Sequence, residues 1–421
     1  MSAASAARRV DAALEVVVLE STGYAAYGMC GLPYYLAGFV DRADDLLAYP
    51  ATYFGQRRKI DVRYHAEAVE LDHVGRLVSF RQGGRMHRLG YSELIVTTGA
   101  GPQTMVVPGV PDDRIFTIRT LEAAITLRSL LDAGRVGSAL VVGAGYIGLE
   151  MAEALAHRGC SVTVIDRLDR VLTTMDPELS ALVEAETRQH VELRLGTTLA
   201  QVGALDFDVV VVATGVRPAV SVAARAGART GPAGALLVDQ RMQTSLAGVW
   251  AAGDCVAPHH RVLGAPAFVP LGTTANKTGR VAGTVAAGGD AVFDGIVGTA
   301  VVKVFDLEVA RTGLSLAEAL AAGLPARASD VVHRSRAKYY PGSAPLHVRL
   351  VHTDDGVLLG AALIGREGAA KRVDVVAAAL HAGLSVADLG NLDLSYAPPY
   401  SPVYDPLLIA AQTAGRTLEA V

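Results

Sequence analysis

The chain has 421 residues, 51% of them hydrophobic, so it is too long for one ordinary domain and can bury more than one core. Its 38 basic and 42 acidic residues leave a formal net charge of −4, without the basic bias that nucleic acid or an anionic membrane surface attracts. Three cysteines do not make a disulfide framework, no apolar run reaches the about 18 residues of a membrane span, and the polar start "MSAASAARRV" is not a secretory signal. We expect a cytoplasmic protein with small-molecule ligands.

The first predicted strand, "LEVVVLE" (14–20), ends at Glu20, and a loop then leads to "AYGMCGLPYYLAG" (26–38). Cys30 in this segment has no sequence neighbour to pair with, because Cys160 and Cys255 are far away and are expected to be structural. A thiol is nucleophilic only as thiolate, which a helix N-terminus or a nearby cation favours. Residues 31–33, Gly-Leu-Pro, can open such a helix. We interpret Cys30 as a redox cysteine.

Three apolar segments, 93–102, 207–220 and 246–257, end in turns of small residues. They are predicted to be strands of parallel sheets, whose carboxyl ends face a ligand. The residues that this pattern nominates for ligand contact are Thr98, Gly99, Gly215, Gly253 and Asp254.

The segment "SALVVGAGYIGLEMAEALAHRGCSVTVIDRLDR" (138–170) combines a strand, a glycine turn, a helix and a second strand. Gly143 allows the tight turn, Gly145 lets the backbone approach a diphosphate, and Gly148 lets the helix pack on the strand. Asp166 ends the second strand and would accept hydrogen bonds from a ribose 2′-hydroxyl, which favours NADH. Arg167 and Arg170 could instead bind a 2′-phosphate, so NADPH stays open.

Proline-stiffened aromatic stretches follow at 338–342, "KYYPG", and 396–406, "YAPPYSPVYDP". From the residues alone they are surface turns with packing aromatics. The chain also has basic residues, Arg9 and Arg58 among them, whose planar guanidinium groups suit phosphate oxygens. His259 and His260 lack partners at metal-ligand spacing, and no metal site is predicted.

Together these motifs resemble a family, the flavin-dependent pyridine nucleotide-disulfide oxidoreductases, in the branch with one redox cysteine. The matching segments, in the family's order, are "MCGLPYY", "VVGAGYIGLE", "ATGVRP", "AAGDC", "LGTTANKTGRVAG" and "YAPPYSPVYDP". The resemblance implies an α/β protein with two Rossmann-like nucleotide-binding domains, for FAD and NAD(P), and a C-terminal α+β dimerisation domain. The implied segments are 1–110 and 240–295 for FAD, 111–239 for NAD(P) and 296–421 for dimerisation.

The resemblance also implies roles for individual residues. Tyr146 would cover the nicotinamide pocket next to the flavin, and Tyr396 with Tyr339 or Tyr340 would reach across a homodimer to the redox cysteine. Arg9 and Arg58 would meet the phosphates of coenzyme A. The residues expected to hold the two dinucleotides are Glu20, Thr98, Gly99, Gly143, Gly145, Tyr146, Ile147, Gly148, Asp166, Gly215, Gly253, Asp254, Thr274 and Ala275.

The implied activity is NAD(P)H-dependent, FAD-mediated reduction of a low-molecular-weight disulfide, coenzyme A disulfide first, through Cys30. One alternative is an NADH oxidase or peroxidase that cycles Cys30 through sulfenic acid. Another is a non-catalytic NAD-binding protein, if FAD is not bound. The fold by itself does not separate these alternatives.

One departure concerns residues 1–110. The family pattern begins with a strand and a G-x-G-x-x-G loop for the FAD diphosphate, upstream of a helix like "SAASAARR" (2–9), and Met1 falls where that helix starts. Loss of this central strand should leave unpaired backbone and exposed apolar surface. We therefore expect the natural start to lie upstream, and a native N-terminal peptide beginning at Met1 would contradict that expectation.

Overall fold

The computed structural model describes residues 1–419. Its first part contains three helices, one parallel strand pair and an antiparallel meander of β3, β4 and β5. The elements are α1 (Ser2–Val10), β1 (Val17–Leu19), α2 (Leu32–Ala37), α3 (Tyr53–Arg58), β2 (Asp61–Arg63), β3 (Glu67–Asp72), β4 (Leu77–Gln82), β5 (Arg85–Gly90), β6 (Leu94–Val96) and β7 (Ala100–Pro102).

A doubly wound unit follows, with a parallel sheet in the order β11-β10-β9-β12-β8. Its central strands are buried on both faces, as continuous β-branched runs require. The elements are β8 (Ile115–Phe116), α4 (Leu121–Asp132), β9 (Ser138–Val142), α5 (Tyr146–His157), β10 (Ser161–Ile165), α6 (Pro177–Thr187), β11 (Glu192–Arg194), β12 (Val209–Val212), β13 (Val216–Pro218), α7 (Ser221–Arg225) and β14 (Leu236–Leu237). The strand order reverses between β9 and β12, which opens a crevice at their carboxyl ends.

The chain then returns to its first part. The elements are β15 (Val249–Ala251), β16 (Val256–Ala257), β17 (His259–His260), β18 (Ala265–Pro266) and α8 (Gly272–Ala286). Strand β15 pairs in parallel with β6. Helix α8 packs against α1, and a Cβ at Gly283 would lie 2.1 Å from the carbonyl oxygen of Ala3. Segments 270 residues apart in sequence therefore form one unit.

The sheet of this first unit is divided. Within residues 1–419, β1 pairs only with β2, and β15 pairs only with β6. The side chains of β1 are half-buried, in contrast to the fully buried strands β9 and β12.

The C-terminal part is an antiparallel sheet in the order β19-β20-β23-β22-β21, with α10 and α12 against it. Residues of β19 and β20 also join the core cluster of the doubly wound unit. The elements are β19 (Ala300–Val304), β20 (Leu307–Gly313), α9 (Leu316–Ala321), β21 (Ala326–Arg334), β22 (Pro345–Thr353), β23 (Leu358–Gly365), α10 (Ala369–Ala382), α11 (Val386–Gly390) and α12 (Pro406–Glu419).

An ion cluster around the buried side chains of Arg349 and Asp176 joins this sheet to the doubly wound unit. The guanidinium of Arg349 lies 3.2 Å from Asp176, 3.0 Å from Glu178 and 2.7 Å from Asp330. These hydrogen bonds raise the pKa of Arg349, Asp330 contributing most. Because Asp176 also accepts from the backbone amides of Leu316 and Ala317, the two units are locked in one orientation.

The predicted fold class is confirmed: two α/β units precede a C-terminal α+β unit. Cys160 and Cys255 are buried, as expected, and a helix does begin shortly after Cys30. The predicted boundaries at 110, 239 and 295 stay predictions.

Substitution Gly283→Ala should destabilise the protein, because the new methyl group would collide with backbone rather than with a movable side chain. We expect a loss of about 1–3 kcal/mol of unfolding free energy, seen as a lower thermal midpoint. Gly415→Ala, in α12, is the matched control, since its Cβ would meet no atom within 4 Å and should be neutral or stabilising by up to about 1 kcal/mol. Equal midpoints for the two variants would contradict the close packing of α1 on α8.

Candidate active site

The glycine loop joins β9 to α5 at the crevice. A Cβ at Gly143 would lie 2.4 Å from the carbonyl oxygen of Ala213, and a Cβ at Gly148 would lie 1.8 Å from that of Gly143. A Cβ at Gly145, by contrast, would meet no atom within 4 Å. Packing therefore requires the first and third glycines, while Gly145 leaves open space at the N-terminus of α5, where a diphosphate fits.

Asp166 follows β10 and turns toward this loop. Its carboxylate accepts hydrogen bonds from the backbone amides of Ala144 at 2.7 Å and Leu168 at 2.9 Å. The carboxylate is thus fixed beside the glycine loop, and its remaining lone pairs can accept from a ribose. Arg167 is exposed next to it.

Two residues of the loop's helix border the same crevice. The hydroxyl group of Tyr146 lies 3.1 Å from that of Thr174, and the Ile147 side chain is exposed. Gly215, with φ +108°, follows the neighbouring strand β12. The structure therefore brings the predicted NAD(P)-binding residues to one edge of one sheet.

The predicted FAD-binding residues form a second group. Glu20 follows β1, and its carboxylate accepts from the backbone amide and hydroxyl of Thr22, both at 2.8 Å. Gly99 and Gly253, both with positive φ, follow the paired strands β6 and β15. Asp254 is half-buried, and this burial raises the pKa of its carboxyl group.

Two helices present their N-termini beside this group. Helices α1 and α8 run in parallel, with the Ser2 hydroxyl donating to the Asn276 side chain at 2.6 Å near their first turns. Thr274 and Ala275 lie in the first turn of α8, and Ala275 is next to Gly253. Helix N-termini favour negative charge. Together with the ribose-type acceptor Glu20, these residues fit FAD.

Cys30 lies in a 3-10 turn, Met29–Gly31, immediately before α2. It is exposed, unlike the other two cysteines. Helix α2 packs against α5, which places the cysteine loop beside the glycine-loop helix. Partial burial, then Glu150 and Asp254, raise the pKa of the Cys30 thiol, so the helix start does not by itself produce a low thiol pKa.

Sequence reasoning missed two charged residues beside Cys30. Glu150 lies on α5, and burial together with Glu153 raises its pKa to about 7. Arg119 donates to the carbonyl oxygen of Ala100 at 2.6 Å and to the sulfur of Met29. The "GLE" of the glycine motif contained a signal for Glu150, whereas nothing in the sequence linked Arg119 to Cys30, 89 positions away.

The three candidate tyrosines lie on the C-terminal unit. The structure places Tyr396 next to Tyr339, and their side-chain hydrogen bond raises the pKa of Tyr396. The two loops are also joined by the Ala337 amide, which donates to the carbonyl oxygen of Pro398 at 3.3 Å. Tyr339, Tyr340 and Tyr396 are all exposed, by 75%, 36% and 48%, and in the described part of the chain none of them bonds to Cys30.

Arg9 and Arg58 lie at the C-terminal ends of α1 and α3. These ends are tied together because Arg8 donates to the carbonyl oxygen of Lys59. The Arg58 guanidinium lies 5.7 Å from the ring centre of Tyr53, and Arg9 is exposed without a side-chain partner among residues 1–419. The structure therefore brings together the two helix ends that carry the candidate phosphate-binding residues.

Over residues 1–419, one group of side chains has the spacing of a metal site: Glu186, His190 and Asp306. Arg366 pairs with Glu186 at 3.6 Å and with Asp306 at 2.7 Å. The acidic charge is thus matched by a cation of the protein. The predicted lack of a metal site stays a prediction.

Comparison with known proteins identifies the chain. Residues 1–279 match the family model described as pyridine nucleotide-disulphide oxidoreductase, and residues 299–406 match the dimerisation domain of that family. A Pyrococcus horikoshii protein named NAD(P)H coenzyme A polysulfide/persulfide reductase is 35% identical over 98% of this chain and 95% of its own. A coenzyme A disulfide reductase from Staphylococcus haemolyticus is 30% identical over 94% of this chain and 93% of its own.

Solved structures agree with this result. An NAD-dependent persulfide reductase from A. fulgidus superposes with a TM-score of 0.93, at 36% identity, over 100% of this chain and 82% of its own. Reduced Bacillus anthracis CoADR-RHD also gives 0.93, at 31% identity, over 100% of this chain and 78% of its own.

None of the helices in residues 1–419 is both long and apolar enough to cross a membrane. The family's cofactors are FAD and NAD(P)H. The glycine loop with Asp166 fits NAD(P)H. The N-termini of α1 and α8 together with Glu20 and Gly99, which we call the FAD cradle, fit FAD. The chain belongs to the pyridine nucleotide-disulphide oxidoreductase family of enzymes.

Proposed function

We propose that the protein is a homodimeric NAD(P)H oxidoreductase that reduces the disulfide of a low-molecular-weight thiol, coenzyme A disulfide first, through Cys30. The observation that carries this proposal is the exposure of Cys30 beside both dinucleotide sites, while the other two cysteines are buried. With no second thiol to close an internal disulfide, the oxidised cysteine must pair with a small external thiol or become a sulfenic acid.

The reaction consumes one disulfide, one NAD(P)H and one proton, and yields two thiols and NAD(P)⁺. The Cys30 thiolate attacks one sulfur of the substrate, which forms a mixed disulfide and expels one thiolate. FAD, when bound, supplies the two-electron relay from NAD(P)H. Two electrons break the mixed disulfide, return Cys30 to the thiolate and release the second thiol.

Tyr396 is proposed to protonate the departing thiolate from the other subunit. A phenol, whose ordinary pKa is about 10, is protonated at neutral pH, so Tyr396 has a proton that it can donate to a thiolate. The exposure of the Tyr339 and Tyr396 rings in one chain supports a role in a site that two subunits complete.

Arg9 and Arg58 are proposed to bind the phosphate groups of coenzyme A. The helix ends that carry them lie near the start of the cysteine loop, because Ala26 packs against the core cluster that contains Ala4 of α1 and Phe54 of α3. A substrate bound there by its phosphates could extend its thiol end toward Cys30.

The preferred coenzyme is proposed to be NADH. Asp166 is held beside the glycine loop by two backbone amides, where a carboxylate accepts from a ribose and repels a 2′-phosphate. The exposed Arg167 provides the means for NADPH to bind as a second coenzyme. A cytoplasmic location stays a prediction.

A coenzyme A persulfide is the second candidate acceptor. Relatives at 35% identity carry names that include persulfide reductase and CoA-dependent sulfur oxidoreductase. Both acceptors offer Cys30 an S–S bond on the same nucleotide-bearing thiol. An NADH oxidase activity has the support of a Methanocaldococcus jannaschii relative of that name at 31% identity.

Cys30→Ser should reduce the rate of coenzyme A disulfide reduction to below about 1% of wild type, because serine cannot form the mixed disulfide. The assay measures free thiol released, with NADH and NADPH in parallel, and Cys160→Ala serves as the buried-cysteine control. A rate of thiol release by Cys30→Ser equal to that of the wild type would contradict the proposal. Peroxide or oxygen consumption that depends on Cys30, without thiol release from either sulfur acceptor, would instead establish the oxidase.

Mixing two inactive variants tests the shared site. If Tyr396 acts on the other subunit's cysteine, dimers of Cys30→Ser with Tyr396→Phe contain one intact site, and an equal mixture regains about a quarter of wild-type activity after subunit exchange. If Tyr396 acts within its own chain, the mixture stays inactive. Full activity of Tyr396→Phe alone would show that the phenol has no role.

The double variant Arg9→Ala, Arg58→Ala should raise KM for coenzyme A disulfide about a hundredfold or more, since each of the two charge-assisted bonds to phosphate contributes roughly 1.5–3 kcal/mol. Pantethine, the disulfide of pantetheine, lacks the nucleotide phosphates, so the KM for pantethine should not change. Arg135→Ala, at an exposed site without side-chain partners in the described residues, controls for charge. Equal effects on both substrates would rule out phosphate recognition by this pair.

A further inference from the structure

Arg119 is a half-buried cation that forms no direct ion pair in the described residues, although its charge opposes the rise that burial causes in the pKa of the nearby Asp254 carboxyl group. Its guanidinium donates to two neutral acceptors, the Ala100 carbonyl oxygen at 2.6 Å and the Met29 sulfur. No ion pair involves this residue within residues 1–419, although most of the partly buried arginines of the chain, such as Arg349, have one. Because a charge removed from water is costly unless an anion compensates it, an anion is expected to complete this site.

Cys30 is the neighbour that can become that anion. Met29, which the guanidinium contacts, precedes Cys30 in the same 3-10 turn. Another nitrogen of Arg119 lies 3.1 Å from the position of a Cβ at Gly99, in the predicted FAD cradle. The guanidinium therefore lies between the cysteine turn and the cradle.

The charged groups around Cys30 oppose each other. Glu150 on α5 and Asp254 after β15 raise the pKa of the Cys30 thiol, after partial burial, and Arg119 lowers it. Two phenols also face this region, Tyr34 from α2 and Tyr27, whose hydroxyl donates to the Arg119 carbonyl oxygen at 3.3 Å. Arg119 is the cation in this set, and because it also opposes the rise that burial causes in the pKa of Asp254, its positive charge acts on both Asp254 and Cys30.

We propose that Arg119 is a positioning residue of the active site, which acts through Cys30: its guanidinium, held beside the cysteine turn by Ala100 and Met29, stabilises the thiolate against two neighbouring carboxylates. The proposal rests on the proposed redox role of Cys30. It adds a specific source for the positive charge that a nucleophilic cysteine requires, in a site where burial and acids work against ionisation.

The test measures the rate of Cys30 alkylation by iodoacetamide as a function of pH in the full chain, read from the modified Cys30 peptide. Only the thiolate reacts, so the midpoint of the rate profile reports the thiol pKa. Arg119→Met should move this midpoint up, so that the rate at neutral pH falls about twofold or more. Arg119→Lys should return the midpoint part of the way to the wild-type value, because lysine keeps the positive charge but lacks the planar guanidinium group.

Two further variants serve as controls in this test. Arg135→Met removes a cation that does not act on Cys30 and should leave the profile unchanged. Glu150→Gln should shift the midpoint down, since Glu150, with a pKa of about 7, is ionised where the thiol titrates. A wild-type profile in Arg119→Met, with Glu150→Gln still shifted, would overturn the proposal. Alkylation does not require turnover, so this failure is distinct from that of the disulfide reductase function, which Cys30→Ser tests.

Discussion

The close approach of helix α5 to strand β9, across Gly143 and Gly148, is the constraint on which the site depends. Any side chain at either glycine would collide with backbone, so the contact fixes where α5 begins. That start creates the open space at Gly145 and sets the direction of every residue that follows on the helix. The glycine loop and α5 therefore form one rigid unit.

Helix α5 also contacts the other two parts of the molecule. On one side it packs against α2, directly after the Cys30 turn. On another, Glu153 pairs with Lys303 and accepts from the backbone amide of Phe305 at 2.8 Å, both in the C-terminal unit. One rigid helix therefore connects the NAD(P) loop, the cysteine and the unit that bears the tyrosines, which is what electron transfer between fixed centres needs.

The sequence allowed accurate prediction where chemistry is local. The glycine loop, its two flanking strands and Asp166 lie within about 30 residues, and the structure has the predicted order of strand, turn, helix and strand, with no room for a side chain at Gly143 or Gly148. Their contact with a dinucleotide stays a prediction. The electrostatics of Cys30 could not be predicted in this way. Arg119 and Asp254 come from distant segments, and only tertiary packing shows that both act on the Cys30 thiol, in opposite directions.

The tyrosines represent a third situation, in which neither the sequence nor one chain is sufficient. Proline-rich loops predicted stiff, exposed phenols, and the structure adds that Tyr339 and Tyr396 come together although they are 57 positions apart. A hydrogen bond between two exposed hydroxyls is worth little in water, where each could bond to solvent instead. The pair gains value if a second subunit covers it, since a phenol shielded from water keeps its proton and its direction. A dimerisation domain that presents such a pair therefore makes assembly a condition of the chemistry, because the proton donor and the thiol it serves belong to different chains in the proposed enzyme.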